Sequence, residues 1–231
     1  MNVEQARFNM IEQQIRPWDV LDARVLELLA VVRREDFVPP AYRGLAFADI
    51  ELPLGGSGAA ASAAAASAAA GKVMLPPRVE ARMLQDLDIA KHERVLEIGA
   101  GSGFMAALLG HRAQRVLTLE IDDDLARAAR ANLQRAGLLN VEVRMADGAS
   151  AFLGDDGPFD AIVLSGSVAQ LPEHLMSLLK PGGRLLAIVG EEPVMRATLV
   201  RHTDNGHVIT QPWDAGAPRL LNFPEPPRFH F

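Results

Sequence analysis

The sequence predicts an α/β protein in which a parallel sheet with crossover helices follows a helical N-terminal cap and ends in an antiparallel hairpin. Two observations carry this. From about position 76, short apolar runs bounded by glycine alternate with helical patterns, the signature of right-handed βα crossovers. Near the end, Asp204-Asn205-Gly206 separates two alternating runs, 197–203 and 208–213, which is a strong hairpin signal.

The elements follow in order. Val3, Ala6, Met10, Ile11 and Ile15 recur at helical spacing until Pro17 stops the run. A second helix starts behind Asp22, a good N-cap, with Val25, Leu26, Leu28, Leu29 and Val32 as its apolar stripe. Residues 49–54 read as extended. In the sheet region a helix is expected over 78–88 and a strand over 94–98, followed by a helix over about 103–111 and a strand over 116–120. A helix capped by Asp122, Asp123 and Asp124 should stop at Gly137. Strands are then expected at 141–143 and 159–164, a helix at 172–179, a turn at Lys180-Pro181-Gly182-Gly183 and a strand at 185–189.

Three parts result within one structural domain: a cap over 1–54, an insert and loop over 55–75, and a core over 76–231. Residues 59–70 comprise ten alanines and two serines, preceded by Gly55-Gly56-Ser57-Gly58. Such a tract lacks an amphipathic face and reads as a mobile surface loop.

Composition excludes several classes. The 231 residues carry a formal charge of −6, which disfavours nucleic acid and acidic membranes as partners. The absence of cysteine removes disulfides, thiolate metal sites and a cysteine nucleophile. The six histidines lack metal spacing, and no metal is expected. The first residues lack the blocks of a signal peptide, so the expected location is cytoplasmic, with a monomer favoured.

The strongest chemical signal is Glu97-Ile98-Gly99-Ala100-Gly101-Ser102-Gly103-Phe104, where strand, glycine turn and helix start coincide. Phe104 stands where the dinucleotide fingerprint needs its third glycine, which disfavours a nicotinamide dehydrogenase. Glu120 ends the next strand, where the fold places a carboxylate near a ribose. Asp147-Gly148 follows the third strand.

The G-x-G-x-G form, with Glu97 two residues before Gly99, resembles the first motif of class I S-adenosylmethionine-dependent methyltransferases. That resemblance implies a Rossmann-like class I methyltransferase sheet and S-adenosyl-L-methionine as cofactor. The implied cofactor-binding residues are Glu97, Gly99, Gly101, Gly103, Glu120, Asp147 and Gly148, with Asp147 toward the adenine amino group. Ile11 to Arg16, Arg24-Val25-Leu26, Arg34 to Pro39, Leu45 to Asp49 and Leu52 to Gly55 narrow it further. Together with the methyltransferase motifs they resemble the protein-L-isoaspartate O-methyltransferase family. Members methylate the free carboxyl of isoaspartyl residues in damaged proteins; the ester then closes to a succinimide whose hydrolysis restores some aspartate. The implied partner is an isoaspartyl protein or peptide.

One segment departs from the family. Where members carry a serine at the methyl-transfer site, the counterpart stretch Gly71-Lys72-Val73-Met74-Leu75-Pro76-Pro77 has Leu75, and no catalytic residue is assigned. Two other readings stay open: a methyltransferase with another acceptor, and a non-catalytic S-adenosylmethionine-binding protein.

The insert yields a first prediction. Deleting residues 56–70 should leave the melting temperature nearly unchanged, because closure entropy varies slowly with loop length. A large fall would show that the alanines pack.

Overall fold

The computed structural model describes residues 2–55 and 71–226; the insert reading at 56–70 lies outside the described residues. The cap begins with α1 (Val3–Met10), which continues through a π turn (Ile11–Ile15) and a 3-10 turn (Arg16–Trp18). The apolar stripe is as expected, but the α-helical hydrogen bonding ends at Met10, ahead of Pro17. Helix α2 (Ala23–Val31) starts where the sequence placed it, with the Asp22 side chain accepting from the Arg24 N–H at 2.8 Å.

The extended reading of 49–54 shrinks to β1 (Leu52–Pro53), paired antiparallel with β2 (Val73–Met74). The two flank residues 56–70 and bring Leu54 and Lys72 together, with Leu54 N donating to Lys72 O at 2.9 Å. Helix α3 (Pro77–Leu87) follows, with proline at its first position, where the missing N–H costs nothing.

A seven-stranded sheet then forms from β3 (Arg94–Ile98), β4 (Arg115–Glu120), β5 (Val141–Met145), β6 (Phe159–Val168), β7 (Leu179–Glu191), β8 (Val194–Thr203) and β9 (Gly206–Asp214). Its spatial order is β5-β4-β3-β6-β7-β8-β9. The first five strands are parallel, and β8 and β9 are antiparallel, as the hairpin signal required. Helices α4 (Phe104–Arg112) and α5 (Asp123–Arg135) make the crossovers from β3 to β4 and from β4 to β5. Asp122 caps α5 through the Leu125 N–H, and Gly137, at φ 73°, ends it. The chain runs outward from β3 to β5 and returns to β6 on the other side of β3. That switch opens a crevice at the carboxyl ends of the strands.

Alternation along the strands divides the core. Val95, Val116, Ala161, Val163, Leu186 and Ile188 face the cluster shared with the cap, α3 and α4. Leu96, Leu117, Ile162, Leu164, Leu185 and Ala187 face the other side. Both faces are apolar because both are covered.

Two expectations are corrected. The helix at 172–179 is only α6 (Glu173–Met176), because Leu178 and Leu179 are taken by the sheet: Phe159 N donates to Leu178 O at 2.8 Å, and Leu179 pairs with Phe159. Lys180-Pro181-Gly182-Gly183 is not a turn before the strand but a bulge inside β7, where register shifts between Phe159 and Ala161. Gly182 holds φ 80°, which any larger residue would resist.

One buried ion pair ties α3 to the sheet. Arg184 donates to Leu87 O and Asp88 O, and to both oxygens of Glu93 at 2.5 and 2.8 Å. Arg184→Leu strands the Glu93 carboxylate and should cost about 3–5 kcal/mol in urea denaturation; a loss under about 1 kcal/mol would match a surface pair instead.

Candidate functional site

Strand β3 ends at Ile98, and the chain must turn sharply to start α4 at Phe104. Gly99, Gly101 and Gly103 take φ of 90°, 52° and 83°, a region that side chains other than glycine rarely enter. Space is also short, since a Cβ at Gly99 would lie 3.0 Å from Leu220 and one at Gly101 would lie 3.0 Å from Leu54. The turn is anchored to β4: Gly99 N and Ala100 N both donate to Leu119 O, at 2.8 and 3.1 Å.

Glu120 completes the anchor. Its Oε2 accepts from Gly101 N at 2.8 Å, and its Oε1 accepts from Asp122 N at 3.0 Å. A buried carboxylate thus joins the glycine turn to the start of α5. Each oxygen has two lone pairs, so each keeps one after these bonds.

The turn opens into a cleft of about 250 Å³ at the carboxyl ends of β3, β4 and β5. Of the residues expected in the site, Gly99, Gly101, Glu120, Asp147 and Gly148 line it. Asp147 begins a tight turn after β5, with its Oδ1 accepting from Ala149 N at 2.9 Å. Its Oδ2 accepts from Ser150 Oγ and from Asn222 Nδ2, at 3.2 and 2.9 Å. Gly148 lets this turn press on the cleft floor, since a Cβ there would lie 2.4 Å from Ile98 Cγ2.

Gly103 and Glu97 are outside the lining of this cleft. Gly103 serves helix packing, because a Cβ there would meet Ala129 of α5 at 3.4 Å. Glu97 is fully buried behind the turn, where its Oε1 accepts from Ser165 Oγ at 2.7 Å and its Oε2 has no partner among the described residues. Ser165 itself lines the cleft, so Glu97 meets it through one intervening hydroxyl. Burial pushes the Glu97 carboxyl up to about 8, against the downward pull of the nearby Thr118 and Ser165 hydroxyls, so it is largely protonated at neutral pH.

Sequence reasoning missed several walls. Lys72 and Asp122 both line the cleft and form an ion pair, Nζ to Oδ2, at 2.5 Å. The pair holds the Asp122 carboxyl below its usual range and the Lys72 ammonium above its own. Asp122 carried a visible signal as a helix cap but none as a cleft residue. Arg219, Leu220 and Phe223 close the cleft from a segment with no periodicity. Two main-chain bonds hold that segment to β6: Ser167 N to Pro218 O at 2.7 Å, and Leu220 N to Ser167 O at 2.9 Å.

Leu75 does not line the cleft. Its side chain is 3% exposed and belongs to the cap-side core, while Gly71, Lys72 and Val73 are the loop residues that reach the cleft. Leucine is tolerated at 75 because the side chain faces apolar neighbours.

The buried acid generates a pH prediction. The folded state raises the Glu97 pKa, so its contribution to stability is full below about pH 4.5 and is lost as pH rises through about 8. Melting temperature should therefore fall from about pH 4.5 to about pH 8, and Glu80, which burial also raises, to about 7, contributes to the same fall. Glu97→Gln, which keeps the acceptor for Ser165, should flatten that fall; an equally steep fall in the variant would assign the dependence to other groups.

The family model for protein-L-isoaspartate(D-aspartate) O-methyltransferase matches residues 5–215. A protein-L-isoaspartate O-methyltransferase 1 from Syntrophobacter fumaroxidans is 35% identical over 215 residues, covering 90% of this chain and 94% of the relative. A protein-L-isoaspartate O-methyltransferase from Myxococcus xanthus is 41% identical over 171 residues, 74% of each chain. Among solved structures, a Plasmodium falciparum protein assigned to the same methyltransferases, in complex with S-adenosyl-L-homocysteine, superposes with a TM-score of 0.73. It is 20% identical, and the match covers 95% of this chain and 98% of that one, which demonstrates the shared fold. The chain belongs to the protein-L-isoaspartate O-methyltransferase family.

Proposed function

We propose that this chain is an S-adenosylmethionine-dependent O-methyltransferase that esterifies the free carboxyl of isoaspartyl residues in damaged proteins or peptides. The observation that carries the proposal is the glycine turn clamped by Glu120 at the mouth of the switch-point cleft.

The residues present fit such a cofactor. The turn holds Gly99 and Gly101 where a Cβ would crowd the cleft-lining Leu220 and Leu54, leaving backbone free to approach a ligand. Glu120 keeps one free lone pair on each oxygen, a match for two ribose hydroxyls. Asp147 has spent more of its capacity, since three donors already reach it, and keeps room for one more on Oδ1. Ile98, Leu119, Ile121 and Leu125 give the cleft apolar surface for a base.

When bound, S-adenosylmethionine supplies an electrophilic methyl group on its sulfonium. The protein's task is then alignment and exclusion of water, because in-line displacement gains chiefly from proximity. A carboxylate acceptor with a pKa near 4 is already ionised at neutral pH and needs no general base. The absence of a hydroxyl at Leu75 is therefore compatible with transfer. The same absence favours a second reading, in which the cofactor is unchanged and the acceptor differs.

The test is tritiated methyl transfer to an isoaspartyl peptide, with the matching aspartyl peptide as control. Transfer to the first alone is expected; transfer to neither, with S-adenosylhomocysteine still bound, would favour another acceptor. Glu120→Ala should weaken S-adenosylhomocysteine binding by about 1.5–3 kcal/mol in calorimetric titration. Unchanged affinity would place the cofactor elsewhere.

A further inference from the structure

Behind the glycine turn lies a small chamber of about 20 Å³, bounded by Leu54, Val73, Leu75, Glu80, Glu97 and Phe104. Arg34, contributed by the cap and 1% exposed, contacts three of these residues, Leu75, Glu80 and Phe104. Its guanidinium donates Nε to Ala46 O at 3.0 Å, Nη2 to Leu75 O at 2.7 Å, and Nη1 to the Glu80 carboxylate. It also lies 5.0 Å from the ring centroid of Phe104, the first residue of α4 after the glycine turn. One planar cation therefore touches the cap, the loop after β2, helix α3 and helix α4.

The loop needs such an anchor. The β1–β2 ladder spans only two residues on each strand and ends at Met74. Pro76 and Pro77 have no N–H, so the stretch between Met74 and α3 offers carbonyls but few donors. Pro76 O is taken by Val79 N and Glu80 N of α3, and Leu75 O is taken by the Arg34 guanidinium, which adds a link to the cap beside the Lys72–Asp122 pair at the other end of the loop. Glu80 keeps the Arg34 fork in place: a guanidinium stacked on a ring and paired on one edge has little freedom left.

We propose that Arg34 and Glu80 are a positioning pair that holds the Leu75 backbone against the start of α4 and so sets where the loop 71–77 lies beside the glycine turn. Neither residue lines the 250 Å³ cleft, so both act through the loop. The proposal rests on the reading of 71–77 as the acceptor loop. On that reading the pair determines how tightly an acceptor carboxylate is held while leaving cofactor affinity alone.

The decisive variant is the double replacement Arg34→Met with Glu80→Met. Exchanging a buried ion pair for apolar residues of similar volume is often neutral or stabilising, so the fold should persist. Leu75 O, however, loses its donor. Amide exchange at Val73, Met74 and Leu75 should accelerate about tenfold or more, and KM for an isoaspartyl peptide should rise about tenfold, since a loosely held acceptor forfeits alignment. Affinity for S-adenosylhomocysteine should stay within about twofold, as expected for uncoupled sites. Arg34→Lys keeps the charge and the Glu80 pair but not the fork, and should show the same pattern at smaller amplitude; it decides the question if the double variant does not fold. A folded variant with wild-type exchange and wild-type KM would overturn the proposal and make the pair purely structural. If the wild type transfers no methyl to the isoaspartyl peptide, the functional reading fails, while the exchange data still decide the positioning role.

Discussion

The carboxylate of Glu120, accepting from the backbone N–H of Gly101 and of Asp122, is the bond on which the cleft depends. A parallel strand that must reverse into a helix exposes main-chain donors at the turn, and three glycines at positive φ provide no side chain to cover them. Glu120 covers one of these donors and one at the head of α5, and it also lines the cleft. The anchor of the turn is thus also a wall of the cleft. The three acids at the head of α5 extend this economy: Asp122 caps the helix and also reaches Lys72 across the cleft rim.

Charge buried elsewhere in the molecule serves attachment. Arg184 with Glu93 fastens α3 to β7, and Arg34 with Glu80 fastens the loop after β2 to the cap and to α4. In both cases the guanidinium spends its other donors on backbone carbonyls that no strand or helix satisfies. Arginine suits this work because its fork presents several donors in one plane. Glu97 differs in having no cation beside it: burial pushes its carboxyl up, and the Ser165 hydroxyl donates to it.

Leu75 illustrates how a motif comparison and a structure answer different questions. The family resemblance puts leucine where a serine is expected, which points to a defect at the acceptor. The structure buries the Leu75 side chain in the core and uses its carbonyl, through Arg34, as the loop's anchor. What the position contributes is therefore held by its backbone, which the identity of the side chain does not reveal.

Much of the fold was legible in the residues because local rules agree with one another. Strand β3, helix α5 behind Asp122 and the β8–β9 hairpin fall where periodicity, capping and turn chemistry place them. The glycine turn, Glu120 and the Asp147-Gly148 turn were readable as cleft residues because strand ends in an open parallel sheet converge at the switch point. Other features were decided only by tertiary structure. The bulge within β7 and the shortening of α6 depend on pairing with β6, and a sheet ladder overrides local helix and turn preference when both compete for the same backbone groups. Gly103 and Glu97 lie in the motif by spacing but behind the turn in space, since successive residues of a strand and turn point in different directions. Lys72 and the segment from Arg219 to Phe223 reach the cleft through contacts between parts of the chain far apart in sequence, and no local pattern encodes such a contact.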